Sequence, residues 1–141
     1  MDTSKEYIEM CEKAEEIQGN HKIVSGDYFN DGEICAEVLE VENNEGYLIK
    51  SIYGKYFLPS ECVWLPRQDQ LQEMINQDYL TGFIYDLYEF SKEWLYHDNG
   101  NDLRFTSLEQ LWLAFVMYEK FNKVWDGKEW IKRSKKAESE D

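Results

Sequence analysis

The sequence predicts an α+β fold: an N-terminal helix, a small antiparallel sheet, then a C-terminal helical half closed by a tryptophan hairpin. Three observations carry this. Apolar residues recur at helical spacing ahead of Gly19 and again beyond Pro66. Between Ser25 and Leu65, short runs rich in Val, Ile, Tyr and Phe alternate with turn formers. The stretch "SLEQLWLAFVMYEKFNKVWDGKEW", Ser107 to Trp130, gathers three Trp, two Phe and one Tyr, enough large apolar surface to anchor a core.

The first helix is expected over Ser4–Gln18, with Thr3 or Asp2 as cap and Glu6 at capping-box spacing from Thr3. At 100° per residue, Tyr7, Met10, Cys11, Ala14 and Ile17 share one face. Glu9, Glu12, Glu15 and Glu16 fall on the other, and Gly19–Asn20 stops the helix. The strands follow in "GDYF", "EICAEVLEV", "GYLIKSIY" and "KYFLP". Their expected turns are Asp31-Gly32, the segment Glu42 to Gly46, and a type II′ turn with Gly54 at its first central position. A Gly-Asp opening, two long middle strands and a short closing "CVWLP" are similar to small SH3-like barrels; a plain meander fits the same pattern.

Pro66 suits a first helical turn, and Leu71, Met74 and Ile75 give the next helix its apolar stripe. A longer helix is expected over 79–96, with Leu80, Phe83, Ile84, Leu87, Phe90 and Trp94 inward and Asp86, Glu89, Lys92 and Glu93 outward. "HDNGND" ends it as a loop. The last helix starts at a capping box, Thr106 with Glu109 or Ser107 with Gln110. It is apolar on nearly every side from Leu108 to Tyr118, the pattern of a helix buried between other elements. "KVWDGKEW" reads as a hairpin with Asp126-Gly127 in a type I′ turn, flanked by Trp125 and Trp130. One domain is expected over 1–133, followed by a polar tail over 134–141.

The 141 residues carry 29 acids against 15 bases, a formal charge of −14. The imbalance lies in residues 1–121, whereas residues 122–141 are nearly neutral. With 43% hydrophobic and 16% aromatic residues the chain is too apolar for disorder. Its charge disfavours nucleic acid and anionic bilayers, whose affinity comes from Lys and Arg neutralising phosphate. It favours a basic protein partner or plain solubility. The acidic, amphipathic "MDTSKEYIEM" is unlike a signal peptide, and no apolar run reaches membrane-spanning length. Cys11, Cys35 and Cys62 are odd in number and irregularly spaced, so they read as free buried thiols of a cytoplasmic protein.

Chemistry is sparse. His21 and His97 stand at expected helix ends, outside any metal-ligand spacing, where a histidine commonly meets the helix dipole. The glycines form no phosphate loop, and "NDGEICAEVLE" departs from the calcium-loop pattern. Glu119 is the one acid placed by the wheel among apolar residues, near the helix end. No catalytic, metal or cofactor residue is assigned, and a small hydrolase would require a concave site near His21, His97 or the cysteines. The candidate contact residues are Glu9, Glu12 and Glu16 on the first helix, Glu37, Glu40, Glu42 and Glu45 around the central hairpin, and Trp125 and Trp130 as apolar anchors.

The blocks "YIEMCEKAEEIQ", "VWLPRQDQLQEMI" and "FTSLEQLWLAFVMYEKFNKVWDGKEW" resemble a set of short acidic proteins encoded by phages and prophages of gut bacteria. Length and blocks are also similar to an anti-CRISPR class that inhibits the RNA-guided type II effector nuclease. The resemblance implies a non-enzymatic inhibitor acting in the bacterial cytoplasm. Its partner would be a host nuclease that holds its heteroduplex in a positively charged channel. The alternative is an accessory phage protein-interaction module without an anti-defence role. No family site residues carry over.

Overall fold

The structure is a computed structural model that describes residues 1–40, 46–75, 80–97, 100 and 102–133. It is α+β. The chain divides into two compact units, Met1–Arg67 and Gln68–Asp141.

In the first unit, α1 (Lys5–Lys13) and α2 (Glu15–Gln18) replace the single helix expected over Ser4–Gln18. The break is at Ala14, whose ψ of 73° leaves the helical region. The cap is also displaced from expectation: Ser4 Oγ accepts the Tyr7 N–H at 3.2 Å, and Asp2 Oδ1 accepts the Ser4 N–H. The apolar face is as the wheel places it, with Tyr7, Met10, Cys11, Ala14 and Ile17 all buried. Each large side chain of this kind contributes about 1.5–3 kcal/mol on burial. Tyr7 adds a long-range tie, its hydroxyl donating to the Pro66 carbonyl at 2.6 Å.

The sheet runs β1 (Tyr28–Phe29), β2 (Glu33–Glu40), β3 (Tyr47–Ser51), β4 (Tyr56–Phe57) and β5 (Trp64–Leu65). All neighbours are antiparallel and the spatial order is β4-β3-β2-β1-β5. A 3₁₀ turn at Pro59–Glu61 precedes β5. The order is a meander, β1 to β4, whose other edge is completed when β5 returns beside β1. The register slips between Cys35 and Glu37, so Ala36 is an extra residue in β2. Phe29, Cys35 and Ile49 form the sheet core, with Phe57 meeting Phe29 edge to face at 5.1 Å.

The β3–β4 turn differs from expectation. Ile52 and Tyr53 are its central residues, the Gly54 N–H donates back to the Ser51 carbonyl, and Gly54 follows with φ 80°. This is the three-residue loop with a left-handed glycine, rather than a type II′ turn, and Ser51 Oγ accepts the Tyr53 and Lys55 N–H groups inside it. Of the expected Glu42–Gly46 turn, only Gly46 lies within the described residues.

The second unit holds α3 (Gln68–Met74), α4 (Leu80–Trp94), α5 (Leu108–Phe121), β6 (Lys123–Trp125) and β7 (Trp130–Lys132). Pro66 lies two residues ahead of α3 rather than in its first turn. Ser107 caps α5, accepting the Gln110 N–H at 3.1 Å, while buried Gln110 reaches back to the Thr106 N–H. From Leu111 to Met117 every residue of α5 is buried, as a helix apolar all round requires; Leu108 is exposed, against expectation, because it sits on the first turn. Asn122 ends the helix in the left-handed region, φ 57°. Phe90 of α4 packs edge to face on Phe115 and Tyr118, whereas Ile84, expected beside it, is exposed.

The terminal hairpin forms, with Trp125 directly opposite Trp130 and their rings 5.1 Å apart. Its turn is centred on Gly127 and Lys128. Gly127 has φ 102°, but Asp126 is not in the left-handed region, so the expected type I′ turn with Asp126-Gly127 at its centre, which needs positive φ at both, does not form. Asp126 Oδ1 accepts the N–H groups of Lys128 and Glu129, both at 2.8 Å. The expected tail over 134–141 lies outside the described residues.

Candidate functional site

The most elaborate polar arrangement in the first unit surrounds Asp27. The loop from α2 to β1 turns back so that Asp27, only 1% exposed, accepts the Val24 N–H at 2.9 Å. Its Oδ2 also meets His21 Nε2 at 2.7 Å. A carboxylate only accepts, so Nε2 carries the proton in that bond. Arg67 Nη1 stands 3.9 Å from the other oxygen and donates to the Gly26 carbonyl at 3.1 Å. A buried acid needs such partners, because stripping water from a carboxylate costs several kcal/mol.

Asp27 thereby fixes the imidazole of His21, which lies flat on Trp64 at 3.4 Å with 11° between the planes. Trp64 is fixed in turn by Gln18, whose side chain donates to the Trp64 carbonyl and accepts its N–H. The expectation that His21 simply meets a helix end is corrected. It is the middle member of an Asp–His–Trp stack, set there by a loop fold that spacing along the chain does not reveal.

Beside this stack opens a cleft of about 260 Å³ lined by Gln18, His21, Lys22, Ile23, Ile49, Pro59, Ser60, Cys62 and Trp64. Among the described residues no carboxylate lines it, although the chain carries 29 acids. Lys22 and Ser60 bring donors, so the lining suits a small acceptor-bearing molecule better than a cation. The Trp64 indole nitrogen is buried without a hydrogen-bond partner. A concave site near His21 and Cys62 therefore exists, but its thiol is ill suited to nucleophilic attack. Burial, with Glu61 nearby, pushes the Cys62 thiol up to about 11, and its Sγ donates to the Leu58 carbonyl. Cys11 is raised further by burial, and Cys35 is raised by burial and by Asp27 and Glu37. All three thiols are free.

The expected contact residues are dispersed. Glu12 is exposed on α1, and Glu9 is half-buried on the same helix. Glu16 belongs to α2 beyond the Ala14 break and is half-buried, so Glu9, Glu12 and Glu16 do not continue one helical ridge. Glu37 and Glu40 are exposed on β2, facing Lys50 and Tyr47 across the ladder. Glu42 and Glu45 lie outside the described residues. In the second unit, Trp130 is buried and Trp125 is half-buried.

Glu119, placed by the wheel among apolar residues, is exposed at the end of α5. Its carboxyl is nevertheless raised above the ordinary value, by partial desolvation first and by Asp86 second, with Arg133 opposing. His97 is exposed, and its backbone N–H donates to the Asp102 carbonyl. The exposed side of α4, Ile84, Tyr85 and Tyr88, is not evident from periodicity, because Ile84 fits the inward arc of the wheel.

The geometry defines a small α+β protein with an acidic exterior. Among the described residues only two carboxylates, Asp27 and Glu33, are buried, and no group of three or more His, Cys, Asp or Glu could hold a metal ion. No described helix is long and apolar enough to cross a membrane. Compared with protein families, curated proteins and solved structures, the chain shows no match.

Proposed function

We propose that this chain is a non-catalytic inhibitor that binds a basic surface of a type II RNA-guided effector nuclease and blocks DNA binding or cleavage. The observation that carries the reading is the outward carboxylate surface. Glu6, Glu12, Glu15, Asp31, Glu37, Glu40 and Glu61 in one unit are exposed, as are Asp69, Glu73, Asp86, Glu89, Glu93 and Glu129 in the other. Such a surface is complementary to channels built for a phosphate backbone, and charge of one sign steers encounter with the opposite sign. The choice of nuclease comes from the resemblance of the three sequence blocks. The raised Cys62 thiol is in keeping with a non-catalytic role, because Cys62 is the cysteine that lines the cleft.

The test is a DNA-cleavage assay with purified nuclease, guide RNA and target. Stoichiometric inhibition that weakens with rising salt is expected. Undiminished cleavage at large molar excess overturns the reading. Within the complex, reversing Glu9, Glu12 and Glu16 to Lys weakens binding if α1 and α2 face the partner. Unchanged affinity at low salt removes those residues from the interface.

A further inference from the structure

We propose that the outer face of α4 is the docking surface, and that its occupant is an arginine-rich segment of a basic protein that also carries apolar side chains. This rests on the reading of a basic partner and names the surface that meets it. The face has two adjoining parts. Ile84, Tyr85 and Tyr88 are 56%, 62% and 57% exposed. At 100° per residue they share one arc with Lys92. Asp86, Glu89 and Glu93, all exposed, occupy the arc beside it. Phe90 holds the opposite side against α5, so the helix is anchored while its tyrosines stay outward.

Tyrosine faces next to carboxylates are chemistry for a guanidinium. The ring quadrupole attracts a cation above it, and the carboxylate accepts its N–H groups. The protein already shows this pairing on a small scale. Lys92 Nζ lies 5.0 Å from the Tyr88 ring centroid and 3.3 Å from Glu89 Oε1. Arginine suits the site better than lysine because its planar group stacks and forks at once. The Glu119 carboxyl on α5 is pushed up by desolvation first and by repulsion from Asp86 of α4 second, with Arg133 opposing. An incoming cation relieves that repulsion. Phosphate is disfavoured by the same charges. A second copy would bring a matching acidic arc and another −14 of charge to the contact.

The test uses the full chain, isotope-labelled for NMR, titrated with a synthetic peptide of alternating Arg and Leu and with its Lys counterpart. Shifts concentrated in α4 and around Glu119, with tighter binding of the Arg peptide, are expected. The Tyr85→Ala/Tyr88→Ala double variant, at exposed positions, should keep its fold by circular dichroism and lose about tenfold in affinity for the Arg peptide, the effect of two partly exposed cation–π contacts. Equal affinity of the double variant and the parent overturns the proposal. So do shifts spread evenly over all acidic segments, or self-association through α4 that excludes the peptide.

The nuclease assay separates this proposal from the one above. If the Arg peptide binds α4 but cleavage is untouched, the nuclease reading falls and the docking face stands. If cleavage is blocked equally by the parent and the double variant, the docking face falls and the nuclease reading stands.

Discussion

Replacing Asp27 by Ala tests whether the Asp–His–Trp stack organises the first unit. The substitution removes the acceptor for His21 Nε2 at 2.7 Å and the Val24 N–H at 2.9 Å, and the charge beside Arg67 at 3.9 Å. Breaking a buried ion pair costs about 3–5 kcal/mol. The side chains of His21 and Arg67 are 23% and 36% exposed, so water resolvates them in part once Asp27 is gone. The low end, about 3 kcal/mol, is expected. With a urea dependence of about 1–3 kcal/mol per molar, the unfolding midpoint drops by about 1–3 M at unchanged slope.

A cycle with His21→Phe isolates the central bond, since Phe keeps a flat ring over Trp64 without the donor. A coupling of about 1.5–3 kcal/mol is expected for a hydrogen bond to a charged group. Circular dichroism of the full chain in urea reads all four proteins. A loss below about 1 kcal/mol for Asp27→Ala, or additivity within about 0.5 kcal/mol, refutes the reasoning.

Three further expectations concern protons and thiols. The Glu119 carboxyl is raised in the folded chain, so the fold holds its proton more tightly than the unfolded chain does. Its contribution is present below the unfolded value near 4.5 and lost as pH rises through the folded value; Glu119→Gln should flatten this slope and raise stability at neutral pH, read by denaturation against pH. The Asp126 carboxyl is lowered by the backbone N–H groups of Glu129 and Lys128, so its contribution is present above the unfolded value near 3.8 and lost as pH falls through the folded value. Carbon NMR titration should place its midpoint below that value, and Asp126→Ala should weaken the coupled circular-dichroism signal of Trp125 and Trp130. With the Cys62 thiol at about 11, the thiolate is roughly one part in ten thousand at neutral pH, so an aromatic disulfide reagent should react slowly with Cys62 and reach Cys11 only on unfolding. A fast, stoichiometric reaction in the folded state contradicts that.

Element types were largely legible in the sequence because hydrophobic period reports secondary structure directly. The buried face of α1 and α2, from Tyr7 to Ile17, and the buried run Leu111 to Met117 needed nothing beyond the wheel. Local backbone choices were less legible. Ala14 gives no sign that it breaks a helix, and Gly54 and Gly127 each fit more than one turn until the hydrogen bonds are seen. Ile84 looked like core because a wheel assigns phase without knowing how much of the helix a neighbour covers.

What the sequence determined by itself is the class of fold and the sign of the exterior. Periodicity of 3.6 or 2 and an excess of carboxylates over bases are properties of the chain read locally. The tertiary structure alone decided which polar groups meet. His21 and Asp27 are six residues apart, but His21 and Trp64 are separated by most of the sheet, and their stacking depends on how β5 is brought beside β1. The same holds for the tyrosines of α4, which are left outside because Phe90, on the other side of the helix, is the residue that α5 receives. Contacts between residues distant in sequence are set by packing, and packing is a property of the folded whole.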